Sequence, residues 1–203
     1  MGNITYTIKT NGEYEFVEKK SRFISYAYFV DSVELTEKYL KELRKKYYDA
    51  RHICYAYILN SPVVEKCSDD GEPSGTAGKP LLDILKKRKL TNVLVVVIRY
   101  FGGIKLGAGG LLRAYNCGGA GALDNAETKE LKCYAIYYAK TVINDYSRAL
   151  NEFKINNIEV LETDFSNPLE VKFKLAVEES EKEKLGKFKM FNIDFEFVEN
   201  IER

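Results

Sequence analysis

Val93-Leu94-Val95-Val96-Val97-Ile98-Arg99-Tyr100-Phe101-Gly102-Gly103-Ile104-Lys105-Leu106-Gly107-Ala108-Gly109-Gly110 is the stretch on which the fold turns. Its first six residues are apolar and five of them are β-branched. That composition suits a central strand covered on both faces. A glycine-rich loop follows, then a helix start at Leu111-Leu112-Arg113-Ala114-Tyr115. Strand, glycine loop and helix N-terminus in this order place backbone N–H groups where they can hold an anion. Arg99, Lys105 and Arg113 set three cations around the loop. The candidate phosphate- or nucleic-acid-binding set is therefore Arg99, Tyr100, Phe101, Gly102, Gly103, Lys105, Gly107, Gly109, Gly110 and Arg113. Tyr100 and Phe101 could stack a base or belong to the core. A flexible turn would also account for the glycines.

The segment beyond the loop, Asn116-Cys117-Gly118-Gly119-Ala120-Gly121-Ala122, is nearly all small residues. Each interior glycine costs a helix about 1 kcal/mol relative to Ala, so a close approach to a sheet or a partner is expected here.

Upstream, Ile4, Tyr6 and Ile8 alternate with polar residues in a strand that ends at Asn11-Gly12. Lys19-Lys20-Ser21-Arg22 precedes a strand from Phe23 to Val30, and its cations read as solvated charge or as a second basic surface, with Arg22 a secondary site candidate. Asp31 and Glu34 have capping-box spacing before a helix that carries Leu35, Tyr39, Leu40, Leu43 and Tyr47. His52 to Leu59 reads as the next strand. The segment from Cys67 to Pro80 has no periodicity and is dense in side-chain oxygens, which makes it a loop. It contributes the acidic-loop candidates Asp69, Asp70, Glu72, Ser74, Thr76 and Lys79. Thr76 is the expected cap of the helix bearing Leu81, Leu82 and Leu85. Lys86-Lys87-Arg88-Lys89 closes that helix, where cations complement the macrodipole.

A new pattern begins near residues 128–130, predicting domains at 1–128 and 129–203. Leu131–Lys140 reads as a strand, followed by a helix with Tyr146, Leu150 and Phe153 and a strand over 158–165. Leu169, Val171, Phe173, Leu175 and Val177 alternate in the next strand. A charged helix over 178–188 precedes a last alternation of Phe191, Ile193, Phe195 and Phe197. This β-α-β-β-α-β order predicts a ferredoxin-like unit whose open sheet face could meet a protein partner.

Composition narrows the function. The chain has 203 residues, 45% of them hydrophobic, and a net charge of +1, so it is no general polyanion binder. Residues 1–128 carry 19 Lys and Arg against 15 Asp and Glu, and the remainder 12 against 15. An anionic partner would meet the first part. Cys54, Cys67, Cys117 and Cys133 form no C-x-x-C pair, and they read as reduced core residues of a cytosolic protein. The chain runs from Met1-Gly2-Asn3 straight into a strand, and no apolar run approaches the ~18 residues of a membrane span. The glycine loop fits neither the P-loop nor the dinucleotide pattern, and Asp69-Asp70-Gly71-Glu72 lacks EF-hand spacing. His52, the one histidine, could join a serine and an aspartate only on paper, because no G-x-S-x-G elbow is present. It stays a secondary candidate. No catalytic residue, metal or cofactor is assigned.

Two long motifs, Ser68 to Pro80 and Arg99 to Leu111, together with Lys20-Ser21-Arg22-Phe23-Ile24 and Ala50-Arg51-His52-Ile53-Cys54, resemble the IMPACT/YigZ family along the whole chain. The resemblance implies an α+β protein of two α/β-sandwich domains. The first would resemble a domain shared by a small-subunit ribosomal protein and elongation factor G domain IV, with a left-handed β-α-β crossover. The second would resemble elongation factor G domain V. Eukaryotic members dampen the amino-acid-starvation kinase pathway of translational control, a role that leans on a further partner-binding domain this sequence does not carry. The family often has a second histidine where Ile53 stands and a threonine where Ala108 stands.

Three readings follow. The first is a non-enzymatic RNA- or ribosome-binding, translation-regulating module that holds phosphate on the glycine loop. The second is a metal-assisted enzyme acting on a nucleotide-like or phosphorylated small molecule through Asp69, Asp70 and Glu72, although these acids could equally pair with Arg99 or Arg113. The third is a protein–protein adaptor using the C-terminal sheet.

Overall fold

The computed structural model describes residues 5–191 and 193–202. The chain forms two compact units, residues 1–130 and 131–203, each of mixed α+β structure.

Strand β6 (Val93–Tyr100) is the third of five strands in the first unit's main sheet, whose order is β2-β3-β6-β4-β5. The others are β2 (Gly12–Glu18), β3 (Ser21–Phe29), β4 (His52–Asn60) and β5 (Val63–Ser68), and the neighbours pair antiparallel. The two-residue period of β6 splits its side chains between two cores. Val93, Val95 and Val97 pack with Leu81, Leu85, Tyr115 and Ala122, which belong to α2 (Gly78–Lys87) and α3 (Ala108–Asp124). Leu94, Val96 and Ile98 pack with Leu43 of α1 (Val33–Lys46) and with Tyr26 and Tyr57. The sheet is therefore covered on both faces. Because β3 and β4 both run antiparallel to β6, they are parallel to each other, and α1 makes the crossover between them. A separate two-stranded sheet joins β1 (Thr5–Ile8) to β7 (Thr128–Leu131).

The small-residue face of α3 lies on the sheet and on α2. A Cβ at Gly118 would come within 2.6 Å of Ser25 Oγ, one at Gly119 within 2.5 Å of Leu81, and one at Gly121 within 2.3 Å of the Tyr14 ring. Close packing accounts for these three glycines.

In the second unit the sheet order is β11-β8-β10-β9, built from β8 (Cys133–Val142), β9 (Glu159–Asp164), β10 (Glu170–Glu178) and β11 (Asp194–Glu202). Helix α4 (Tyr146–Ile155) links β8 to β9. One face of this sheet buries Ala139, Val171, Phe173 and Leu175 against Phe153 and Phe188.

Several local expectations need correction. Strands β2 and β5 went unpredicted, whereas the strand expected over Leu131–Lys140 is β8, shifted by two residues. Of the four cysteines expected in the core, Cys54 is buried, but Cys67, Cys117 and Cys133 are exposed. Ile4, expected in the first strand, lies outside the described residues. Ser32, not Asp31, caps α1, its Oγ accepting from Leu35 N at 3.3 Å. Thr76 does not cap α2; its hydroxyl donates to the Pro73 carbonyl at 2.6 Å. The charged segment expected as a helix over 178–188 is 3-10 structure over Glu179–Phe191. The side chain of Phe191 lies outside the described residues.

Candidate functional site

At one end of the five-stranded sheet, register brings His52, Arg99 and Phe23 side by side on β4, β6 and β3. The loop after β5 and the glycine loop after β6 both reach this end. Between them lies a cleft of about 410 Å³, lined by Arg51, His52, Glu72, Arg99, Phe101, Lys105 and the first residues of α3.

The floor of the cleft is a buried polar network. Arg99 is only 5% exposed, and its Nη1 donates to Glu72 Oε1 at 2.6 Å. The same oxygen accepts from Tyr115 Oη at 2.8 Å. Arg99 Nη2 reaches Ser21 Oγ at 3.4 Å, while its Nε finds no acceptor among the described residues. Burial, with Cys54 and Glu72 alongside, drives the Tyr115 hydroxyl far above the usual tyrosine range. Cys54 Sγ lies 3.0 Å from the Asp69 carbonyl. Burial pushes its thiol up to about 12, against the opposing hydrogen bond to Tyr115. A thiol held protonated in this way is no nucleophile. The His52 Nδ1 lies 2.8 Å from the Asp70 carbonyl. A carbonyl only accepts, so Nδ1 carries the proton, and Nε2 faces Glu72 Oε1 at 3.8 Å.

The acidic loop is held together by its own side chains. Asp69 accepts from the backbone N–H groups of Gly75, Ala77 and Gly78 at 2.8, 2.9 and 2.8 Å, and so caps α2 from a distance. Burial would raise the pKa of Asp69, but the three N–H bonds outweigh it and hold the carboxyl below its ordinary range. Asp70 accepts from Ile53 N at 2.7 Å and from Arg44 at 3.0 Å. Lys79 pairs with Asp83 at 2.9 Å, and Ser74 is exposed. Asp69, Asp70 and Glu72 are thus each occupied by different partners. Among the described residues no cluster of three or more metal-ligating side chains forms.

The three cations of the glycine loop do not converge. Arg99 is the floor of the cleft, Lys105 stands on its wall, and Arg113 lines a separate groove with Lys19 and Phe16. Arg22 pairs with Glu15 on the β2–β3 ladder at 2.7 Å. Tyr100 Oη donates to Asp49 Oδ1 at 2.8 Å, and its ring joins the α1-side core rather than the cleft. Phe101 is half exposed, with its ring 5.5 Å from Arg99 Cζ.

The loop glycines separate by role. A Cβ at Gly102 would sit 2.0 Å from the Lys20 carbonyl carbon, and the Gly102 N–H donates to Ser21 Oγ at 3.2 Å, so that position is fixed by packing. Gly103 turns with φ 83° in open space. Gly107 is the N-cap of α3 with φ 72°, a backbone that L side chains rarely adopt. Its carbonyl accepts from Leu111 N at 2.9 Å, and no side chain among the described residues caps the turn. Gly109 lies beneath the Arg113 guanidinium, and Gly110 packs on Leu106. Sequence reasoning missed Arg51, which is exposed on the cleft wall. The signal was the family-like motif Ala50-Arg51-His52-Ile53-Cys54 at the start of β4.

Residues 19–123, which include every group of the cleft, match the Impact N-terminal domain. The chain is 38% identical over 177 residues to IMPACT family member YvyE of Bacillus subtilis, across 87% of this chain and 81% of that protein. This chain belongs to the IMPACT family. It is also 38% identical over 146 residues to IMPACT family member YigZ of Escherichia coli, across 70% of this chain and 67% of that protein. Among solved structures, this IMPACT-family chain is similar over 98% of its length to a crystal structure of a hypothetical protein. That match covers 99% of the other chain, with a TM-score of 0.67 and 27% identity. No helix among the described residues is long and apolar enough to cross a membrane.

Proposed function

We propose that this IMPACT-family chain is a non-enzymatic module that binds phosphate groups of RNA or of a ribosomal site in the cleft beside α3, and regulates translation from the cytoplasm. One observation carries the reading: Arg51 and Lys105 flank the N-terminal turn of α3 across the cleft, and neither has an ion-pair partner among the described residues. Uncapped N–H groups at a helix start favour negative charge, and two cations beside them add to the attraction. Phe101 supplies an exposed ring at the mouth, suited to stacking a base. The expected likeness of both units to translation-factor domains supports the RNA side by analogy of fold. In the second unit, the sheet order and the α4 connection agree with that likeness.

The test is RNA binding as a function of salt. The Arg51→Gln/Lys105→Gln variant is expected to bind more weakly, with a log–log salt slope shallower by about 0.7 per lost contact. Equal affinity and equal slope would overturn the reading.

A further inference from the structure

A second groove, of about 290 Å³, lies next to the cleft, and Leu106 lines both. The cleft takes Gly107, Ala108 and Leu111 from the start of α3, whereas the groove takes Gly110, Arg113 and Ala114. The two therefore lie on neighbouring faces of the same helical turn. Arg113 and Lys19 line the groove and, like Arg51 and Lys105, have no ion-pair partner among the described residues. Among the described residues, Glu18 is the one acid that lines it.

We propose that the ligand is a single-stranded polynucleotide laid across the first turn of α3, with linked phosphates held by Lys19 and Arg113 on one side and by Arg51 and Lys105 on the other. This deepens, and rests on, the phosphate reading of the cleft. Leu106 and the first turn of α3 stand between the two grooves, so linked phosphates of one chain can occupy both. The β2–β3 connection points the same way. Glu18 pairs with Ser21, leaving a two-residue turn of Lys19 and Lys20, with φ of 45° and 64°. Asn-Gly suits such a turn best, and left-handed backbone costs other residues about 1 kcal/mol or more each. The sequence puts charge at this turn against that preference. The turn is also locked to the glycine loop through the close approach of Gly102 to Lys20. On the cleft side, Arg99 Nε is a buried donor without an acceptor among the described residues. Two concave grooves and the half-exposed Phe101 ring fit unstacked bases on a flexible strand better than a duplex.

The experiment compares uridine monophosphate, oligouridylates of increasing length, oligodeoxythymidylates and duplex RNA, with the full chain, across a range of salt. Affinity is expected to rise with strand length and then level off. Lys19→Gln/Arg113→Gln is expected to weaken binding of the long strands several-fold. It should also lower the salt slope for the long strands by about 1.4, two contacts at about 0.7 each. Circular dichroism confirms the fold, and Lys86→Gln, at a lysine paired with Glu65, is expected to change nothing. Equal binding of ribo- and deoxyribo-strands supports the shared phosphate chemistry; preference for RNA supports it with an added 2′-hydroxyl contact. The inference falls if long strands bind no tighter than the monophosphate. It falls equally if duplex binds tighter than single strand, if the Lys19/Arg113 pair leaves the slope unaltered, or if Lys86→Gln acts as strongly. If only the Arg51/Lys105 pair then matters, the cleft reading survives alone. If no probe binds, both fall.

Discussion

Arg51 and Arg99 are joined backbone to backbone, with Arg51 N donating to Arg99 O at 3.1 Å, yet their side chains do opposite things. Arg99 lies under the cleft, 5% exposed and paired with Glu72. Arg51 stands on the wall, exposed and without an ion-pair partner among the described residues. A guanidinium in the interior is tolerable only with its counter-ion in place, because desolvation of a lone charge costs several kcal/mol. One in solvent loses little by standing alone and keeps its field for a ligand. The floor and the rim of one cleft thus use the same residue type for stability and for recognition.

The difference is most sharply broken at Glu72. Glu72→Ala leaves Arg99 buried without its partner and is expected to lower unfolding free energy by about 3–5 kcal/mol, read from urea denaturation. A loss under about 1 kcal/mol would mean the floor is not a structural pair. Gly102→Ala comes next. Its Cβ would meet the Lys20 backbone at 2.0 Å, so the glycine loop and the hairpin turn must move apart. Overpacking of this kind costs about 1–3 kcal/mol, visible as a lowered Tm. Asp69→Asn should follow, at about 1–2 kcal/mol, as a weakened helix cap. Because the folded protein holds the Asp69 carboxyl below its ordinary range, its charge stabilises at pH values above the unfolded pKa of about 3.9. That stabilisation disappears as pH falls through the lower folded value. The gap between wild type and Asp69→Asn should therefore close on acidification, and a gap that widens would contradict the assignment. The smallest effect belongs to the rim: Arg51→Gln/Lys105→Gln should change stability by no more than about 0.5 kcal/mol while weakening RNA binding.

The sequence shows the parts of the fold that repeat and hides those that depend on distant partners. β6 is legible because six apolar residues in a row have no other comfortable place, and β10 because apolar and charged residues alternate from Glu170 to Leu175. β2 and β5 are edge strands of the main sheet, with Val17 65% and Val63 75% exposed, so burial writes no clean period into them. The cap of α2 comes from Asp69, eight and nine residues before the amides it serves, beyond the reach of a local motif. The acidic and glycine loops were both visible as motifs, but the partition of their charges was not. Glu72 meets Arg99 only because the β5–α2 loop folds back over the end of β6, and Arg113 leaves the loop because the helical turn carries it around to the other groove.

The account stands or falls on whether an anion sits at the start of α3. Backbone amide shifts of Ala108, Gly109 and Gly110, followed by NMR while a short oligouridylate is added, report on that directly. The account predicts saturable movement of these three amides, greatly reduced in Arg51→Gln/Lys105→Gln, with the amides of α2 unmoved. Stationary amides at 108–110 while RNA binds elsewhere on the chain would contradict it.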